Sequence, residues 1–510
     1  MRKYLVQVAV AAAIATAASM AANAASYTIH ISGASAQRTF WEEDLSQLTQ
    51  GTFAAIPNGT CVFNAKTTAA LNPAVPDLHT ATCTVTAGHG AHLPTGILVN
   101  DTITLEYEAE FGSVWGIAPF IPGSTASTRG RASATCNGVT GYSRDLDTAT
   151  ACLSAPTPID IGVSDTEPTF WALPDNWSYS DGVTSNGVNG TGTNGVINVL
   201  SIPGQGQPTL AQLQALEQTW QEVNGEVFSV VVNNTAAPTN AITNLSTQSL
   251  RSIFTGQYTT WSQVPELAGV TGNGANIVVC RRDHGSGTQV SSSLYFTQTE
   301  CGGNNGTSAT GSATGGTNRF VSTPQSAAGA HPGSLSTAGL AVFESTFANN
   351  PVENFSTNDI TACLNAYPGQ TIGIRSLAPA SGYTTLNIDN VQANAHNAAL
   401  GIYKFAVTTY AFNNTANSQP TNAGAQSIAS QLILDAQTGS NGALPTEPGT
   451  MTNGAWTSTA PSVVYGITDG GLNPKPSIAA ITANPSFPIQ VWKSNAGSQC
   501  TIAVNNFSRP

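Results

Sequence analysis

Charge is what this chain has least of. Asp, Glu, Lys and Arg make up 9% of 510 residues, with 16 basic against 28 acidic side chains and a formal net charge of −12. So few cations exclude an extended nucleic-acid surface, because binding a phosphate backbone needs a basic face. A single small anion is not excluded, since one or two arginines and local backbone dipoles decide that. Long hydrophobic runs are also missing: after residue 24 no segment is long and apolar enough to span a bilayer. Cys-x-x-Cys spacing is absent, and His89 and His92 near Cys83 are too sparse a set for zinc, so neither a metal nor another cofactor is expected. Gly, Ala, Ser, Thr and Asn fill much of the rest, which fits an exported protein better than a cytosolic one.

The start of the chain agrees with export. Arg2 and Lys3 form a positive region, an Ala/Val-rich run follows, and Ala22-Asn23-Ala24 is an A-x-A cleavage site. Residues 1–24 therefore read as a cleavable secretory signal, whose removal makes the remaining chain two charges more negative. No Cys follows the cleavage point, so no lipid anchor is expected, and the product belongs in the periplasm or outside the cell. Eight cysteines in an exported chain suggest up to four disulfides. Cys61–Cys83 and Cys136–Cys152 are natural local pairs, and Cys280–Cys301 is the first choice among the rest.

Periodicity indicates strands alternating with helices. Tyr27 to Ile31 alternates like a strand, Ser32-Gly-Ala-Ser-Ala36 interrupts it, and Thr39 to Leu48 reads as a helix with Phe40, Trp41, Leu45 and Leu48 on one stripe. Glu42, Glu43 and Asp44 fall in its early turns. Further strands are expected at Ile103 to Tyr107, Ile159 to Val163, Val227 to Val232 and Thr371 to Ile374, with helices at Thr247 to Phe254 and Ala338 to Phe347. Such alternation implies mainly parallel sheets covered by helices. Two Cys-containing insertions lie near residues 50–100 and 120–157. Runs of Gly, Asn, Thr and Ser at 178–196 and 302–317 read as surface loops.

One stretch carries chemistry. In Asn276-Ile-Val-Val-Cys-Arg-Arg-Asp-His-Gly-Ser-Gly-Thr288 an apolar run ends in two arginines, breaks into a small-residue loop and leads into a helix-like segment, Gln289 to Phe296. The first NH groups of a helix have no internal partner and point outward, and glycine lets the backbone approach a ligand. Arginine adds a planar fork of donors matched to phosphate or carboxylate. Arg281 reads as a surface or interlobe charge, and Arg282 as either an anion ligand or a structural partner of Asp165 or Asp283. Asp165, after the strand ending at Val163, fits a turn or a helix cap on its own.

Five stretches together resemble the phosphate-binding protein of ABC-type phosphate importers. They are Ser32-Gly-Ala-Ser-Ala36, Tyr107 to Ser113, Ile161-Gly-Val-Ser-Asp165, Leu250-Arg-Ser-Ile-Phe-Thr-Gly-Gln-Tyr-Thr-Thr-Trp261 and Asn276 to Thr288. The resemblance implies an α/β, two-lobed type II periplasmic binding protein fold, with parallel or mixed sheets flanked by helices and the Cys-containing insertions in the first lobe. The expected division is residues 25–200 for the first part of lobe 1, 201–380 for lobe 2, and 381–510 for the return to lobe 1 and the C-terminal region.

Site residues follow from the same resemblance. Arg282 matches the arginine that grips the anion, and Ser286, Gly287 and Thr288 match the loop of NH and OH donors. Asp165 matches the carboxylate that accepts a ligand hydrogen, and Ser113 a hydroxyl donor of the first lobe. Gln37 and Arg38 stand where the family has Thr and Phe, so Arg38 either adds a second cation or points outward. His284 replaces an acidic residue that braces the arginine, a role left to Asp283. The implied function is capture of inorganic phosphate by a monomer that delivers it to a membrane ABC permease, without catalysis. A secreted or surface protein using the fold for scavenging or adhesion is the alternative, and an extracellular phosphatase a more distant one. No two-metal cluster is visible, and His284 breaks the G-x-S-x-G elbow.

Overall fold

The computed structural model describes residues 24–50, 61–64, 78–90, 92–108, 112–121, 128–132, 135–136, 139–140, 153–172, 179–180, 199–200, 208–217, 219–282, 285–297, 352–354, 357–377, 382–394, 397–398, 402–414, 423–438, 449–452, 455–458, 463–467 and 492–493. The expected helix at 338–347, the Cys136–Cys152 pair, Asp283, His284, residues 1–23 and the loop at 302–317 lie outside these residues, as does nearly all of the loop at 178–196.

The main sheet has thirteen described strands, ten of them along one path: β1 (Ser26–Gly33), β2 (Cys61–Asn64), β3 (Leu78–Thr84), β4 (Thr102–Glu108), β5 (Ile161–Ser164), β6 (Gln221–Asn233), β7 (Val278–Arg282), β8 (Val352–Asn354), β9 (Thr371–Ser376) and β10 (Ala406–Asn413). Their order is β8-β7-β9-β6-β10-β5-β1-β4-β3-β2. Within each half the strands nearest the site are parallel: β1 with β4 and β5, and β7 with β8 and β9. Helices α1 (Arg38–Gln50), α2 (Val114–Ile117), α3 (Leu210–Glu217), α4 (Thr247–Phe254), α5 (Gly287–Ser292), α6 (Thr357–Ala366) and α7 (Ala423–Thr438) cover the faces. This is a mixed α/β architecture with a central sheet flanked by helices, as the resemblance implied.

The long strand β6 joins the two halves. Its first part pairs antiparallel with β10, ending at Val227 opposite Ala406, and its second part pairs antiparallel with β9 from Phe228 to Val232. The register against β10 shifts between Glu222 and Gly225. The sequence pattern showed only the apolar end of this strand, from Val227 onward, because Gln221 to Glu226 is polar.

Each half has its own apolar core. In the first, Ile29, Ile31, Ile103 and Leu105 of the sheet pack under Phe40, Trp41, Leu45 and Leu48 of α1 and under Ile428 and Leu432 of α7. The stripe on α1 is fully buried, as its spacing required. Asp44 is buried with it. Burial, then the charge of Asp435 on α7, pushes its carboxyl well above the usual range. In the second core Phe228, Val230 and Val232 meet Leu250, Ile253, Phe254, Trp261 and Phe296. Full burial of one such side chain contributes about 1.5–3 kcal/mol. A third cluster takes Val114, Trp115 and Trp171 from one half and Val290 and Leu294 from the other.

The first insertion contributes two described strands to the sheet. Its strands β2 and β3 pair antiparallel and extend the sheet beyond β4, at the edge farthest from β6, with Cys61 and Cys83 opposite each other and disulfide-bonded as expected. In the second insertion Thr128–Ala132 pairs with Leu153–Pro158 in a separate ribbon.

The expected Cys280–Cys301 bond is corrected: Cys280 is bonded to Cys363, with Cα atoms 6.0 Å apart. Cys280 sits on the face of β7 that packs against Ile360, Cys363 and Leu364 of α6, so sheet facing rather than proximity in sequence chose the partner. This bond closes a sequence separation of 83 residues. A disulfide typically contributes about 2–4 kcal/mol, so reduction should lower the calorimetric melting temperature by several degrees. An unchanged melt after confirmed reduction would refute this stabilising role.

Candidate anion site at the junction of the two halves

The site forms where the strand ends of both halves meet. β5 runs out at Ser164, and the Ser164 hydroxyl accepts from the Thr166 amide at 3.2 Å while donating to the Thr166 carbonyl at 2.7 Å. That local turn presents Asp165, which is buried. Its amide donates to Ser113 Oγ at 3.2 Å. Ser113 is buried and stands just before α2.

From the other half, β7 ends at Arg282 and the chain returns through Gly285-Ser286 into α5. The Arg282 amide donates to Gln289 Oε1 at 3.1 Å, and the Gln289 and Val290 amides donate to the Ser286 carbonyl at 3.0 and 3.1 Å. These bonds fix the strand-to-helix turn. α5 is shorter than the expected helix and widens into a π turn over Ser293–Thr297. Arg282, Ser286, Gly287 and Thr288 are all buried.

The two halves touch here. The Val114 amide donates to the Gly285 carbonyl at 3.1 Å, directly across the junction. Gly112 has φ +73°, and a Cβ there would lie 3.1 Å from the Gly285 oxygen. A Cβ at Gly287 would fall 2.2 Å from Ser113 Oγ and 2.7 Å from both Cβ and Oδ2 of Asp165. No real Cβ tolerates such distances, so only glycine lets α5 approach Asp165 and Ser113. Gly287→Ala should hold the halves apart and weaken anion capture by roughly tenfold or more, the scale of a single lost contact of about 1.4 kcal/mol. Small-angle scattering with and without anion checks this. A variant that compacts and binds normally would contradict the close-packing role.

The structure thus brings together Ser113, Asp165, Arg282 and Gly287, and places Ser286 and Thr288 beside them. Gln37 joins through a residue that sequence reasoning missed. Its Nε2 donates to Glu226 Oε2 at 3.0 Å, and Glu226, on β6, is fully buried and hydrogen-bonded to Asp165. The available signal was one acidic residue directly before an apolar strand in a chain with very little charge. Arg38 is half-buried at the start of α1. Arg281, read as a surface or interlobe charge, is buried, and its Nε donates to the Arg282 carbonyl at 3.1 Å.

The electrostatics are those of a desolvated site. Burial raises the Asp165 carboxyl to about 6, against hydrogen bonds with Glu226 and Ser113 and the nearby Arg282, which hold it down. Burial, and then the Asp165 charge, raises Glu226 well above the usual range. A guanidinium, helix-start amides, three hydroxyls and a carboxyl pair can hold a small oxyanion that brings a hydrogen for the carboxylates to accept.

Comparison with known proteins finds a family model that matches part of the chain. Residues 188–430, which include Glu226 and the Arg282–Thr288 loop, match the family model described as PBP superfamily domain. A comparison with curated proteins found no match. Solved structures similar to the chain include an ABC-type phosphate transport receptor from Vibrio cholerae, at 19% identity over 42% of this chain and 70% of that one, with TM-score 0.26. A putative phosphate ABC transporter substrate-binding protein with bound phosphate from Clostridium perfringens matches at 12% identity over 80% and 97%, with TM-score 0.34. PstS from Borrelia burgdorferi matches at 15% identity over 44% and 72%, with TM-score 0.25. The resemblance to the periplasmic binding proteins is borne out by the match of residues 188–430, just under half of the chain, to the PBP superfamily domain.

Proposed function

We propose that this chain is an exported solute-binding protein that captures inorganic phosphate between its two halves and presents it to an ABC-type permease. The observation that carries the reading is the buried meeting of Arg282, Asp165, Ser113 and the start of α5 at one junction. Arg282 supplies charge and a bidentate fork. Ser113, Ser286 and Thr288, with the first amides of α5, supply neutral donors from both halves. Asp165 accepts a hydrogen that phosphate carries and sulfate lacks. Binding is stronger in the closed arrangement because donors from both halves then reach the same anion, so the ligand shifts the population toward closure. No covalent step is needed.

Equilibrium dialysis of the purified chain against labelled phosphate tests the capture. One saturable site per chain supports it, and no retention at any concentration contradicts it. Stimulated uptake by a reconstituted phosphate importer supports the transport role. Tight capture without stimulation supports the scavenging alternative instead.

A further inference from the structure

We propose that Glu226 and Asp165 act as a proton-sharing carboxylate pair that couples capture of phosphate at this site to the uptake of a proton. This rests on the phosphate reading above and assigns the specificity of the same site.

Glu226 lies on β6 with Val407 opposite on one side and Val463 on the other, so its strand neighbours are apolar. Among the described residues, Arg282, from the end of β7, is the cation acting on both carboxyls, and Gln37 and Ser113 meet them as neutral hydrogen-bonding groups. Asp165 Oδ1, Glu226 Oε1 and Gln37 Oε1 are buried and have no hydrogen-bond partner. These are three acceptors at one buried junction, which suits a ligand that brings hydrogens.

Charge counting then decides the protonation. Two adjacent buried carboxyls do not both ionise, because desolvation and mutual repulsion disfavour the doubly charged form. The hydrogen bond between Asp165 and Glu226 is where a shared proton would sit. Were both carboxyls ionised, Arg282 would leave the pair net negative, and a dianion would be repelled. Capture at alkaline pH therefore has to take up about one proton, either onto the pair or with the phosphate itself. Both carboxyls have raised pKa values, Asp165 to about 6, which agrees with a pair that keeps a proton near neutrality.

Calorimetric titration of the full chain with inorganic phosphate, from about pH 5.5 to about pH 8 in buffers of different ionisation enthalpy, is the test. Wild type should take up about one proton per phosphate at the alkaline end, with affinity falling ~tenfold per pH unit. Glu226→Gln keeps the shape and the hydrogen bonding but removes the second acid. It should flatten that dependence and bind ~tenfold more tightly than wild type at about pH 8. Proton-free binding by wild type at the alkaline end would overturn the pair without recourse to any variant, and so would an unchanged pH slope in folded Glu226→Gln. Absence of phosphate heat at every pH would instead overturn the phosphate reading on which this inference rests.

Discussion

Arg282→Ala should abolish phosphate capture while the protein still folds. Arg282 is the cation that acts on both Asp165 and Glu226, and it stands at the end of a strand whose first half is apolar core. Removing a buried partner of a hydrogen-bonded charge pair costs about 2–5 kcal/mol, which is roughly thirty-fold to several thousand-fold in affinity. Without the guanidinium, the carboxyl pair would face the anion uncompensated and would protonate more readily. Folding should survive. The main-chain amide of residue 282 bonds to Gln289 Oε1, and a bond from the backbone does not depend on the side chain. Circular dichroism and phosphate titration of the same preparation check both parts. Normal capture by a folded Arg282→Ala variant would remove this residue from the site.

Asp165→Asn should let sulfate in. A buried carboxylate can face an oxyanion only if that anion donates a hydrogen, and sulfate near neutrality has none to give. The contact with sulfate is then both like-charged and unpaired, so the residue rejects the wrong anion rather than merely holding the right one. The amide of asparagine removes the charge and adds donors that sulfate oxygens accept. The preference for phosphate over sulfate should fall at least about tenfold, or 1.4 kcal/mol. Competition of sulfate against labelled phosphate reads this directly. An unchanged preference would make Asp165 a purely structural group, holding the Ser113 turn through its amide.

The two substitutions separate what was legible in the sequence from what was not. The Arg282–Thr288 loop could be read because strand, small-residue turn and helix start are contiguous, and local chemistry dictates each step. The burial of α1's stripe followed from helical spacing alone. Glu226 was not readable in the same way. It lies 189 residues from Gln37, and only the register of β6 across both halves brings them within 3.0 Å. The Cys280–Cys363 bond was missed in favour of Cys280–Cys301 for a similar reason, since the face of β7 on which a residue lies is set by packing against α6. Arg281 could be read from sequence only as a surface or interlobe charge; its guanidinium bonds to the next carbonyl and is buried. The edge position of the β2–β3 hairpin was likewise invisible in a Cys-flanked segment with ordinary strand composition.

The central claim is that a buried junction of Arg282, Asp165 and the start of α5 selects phosphate by its hydrogen. Calorimetric titration of the purified, ligand-stripped chain near neutral pH, first with phosphate and then with sulfate, tests it most directly. Saturable one-to-one heat with phosphate and none with sulfate is the predicted result. Equal binding of both anions, or heat with neither, would contradict it.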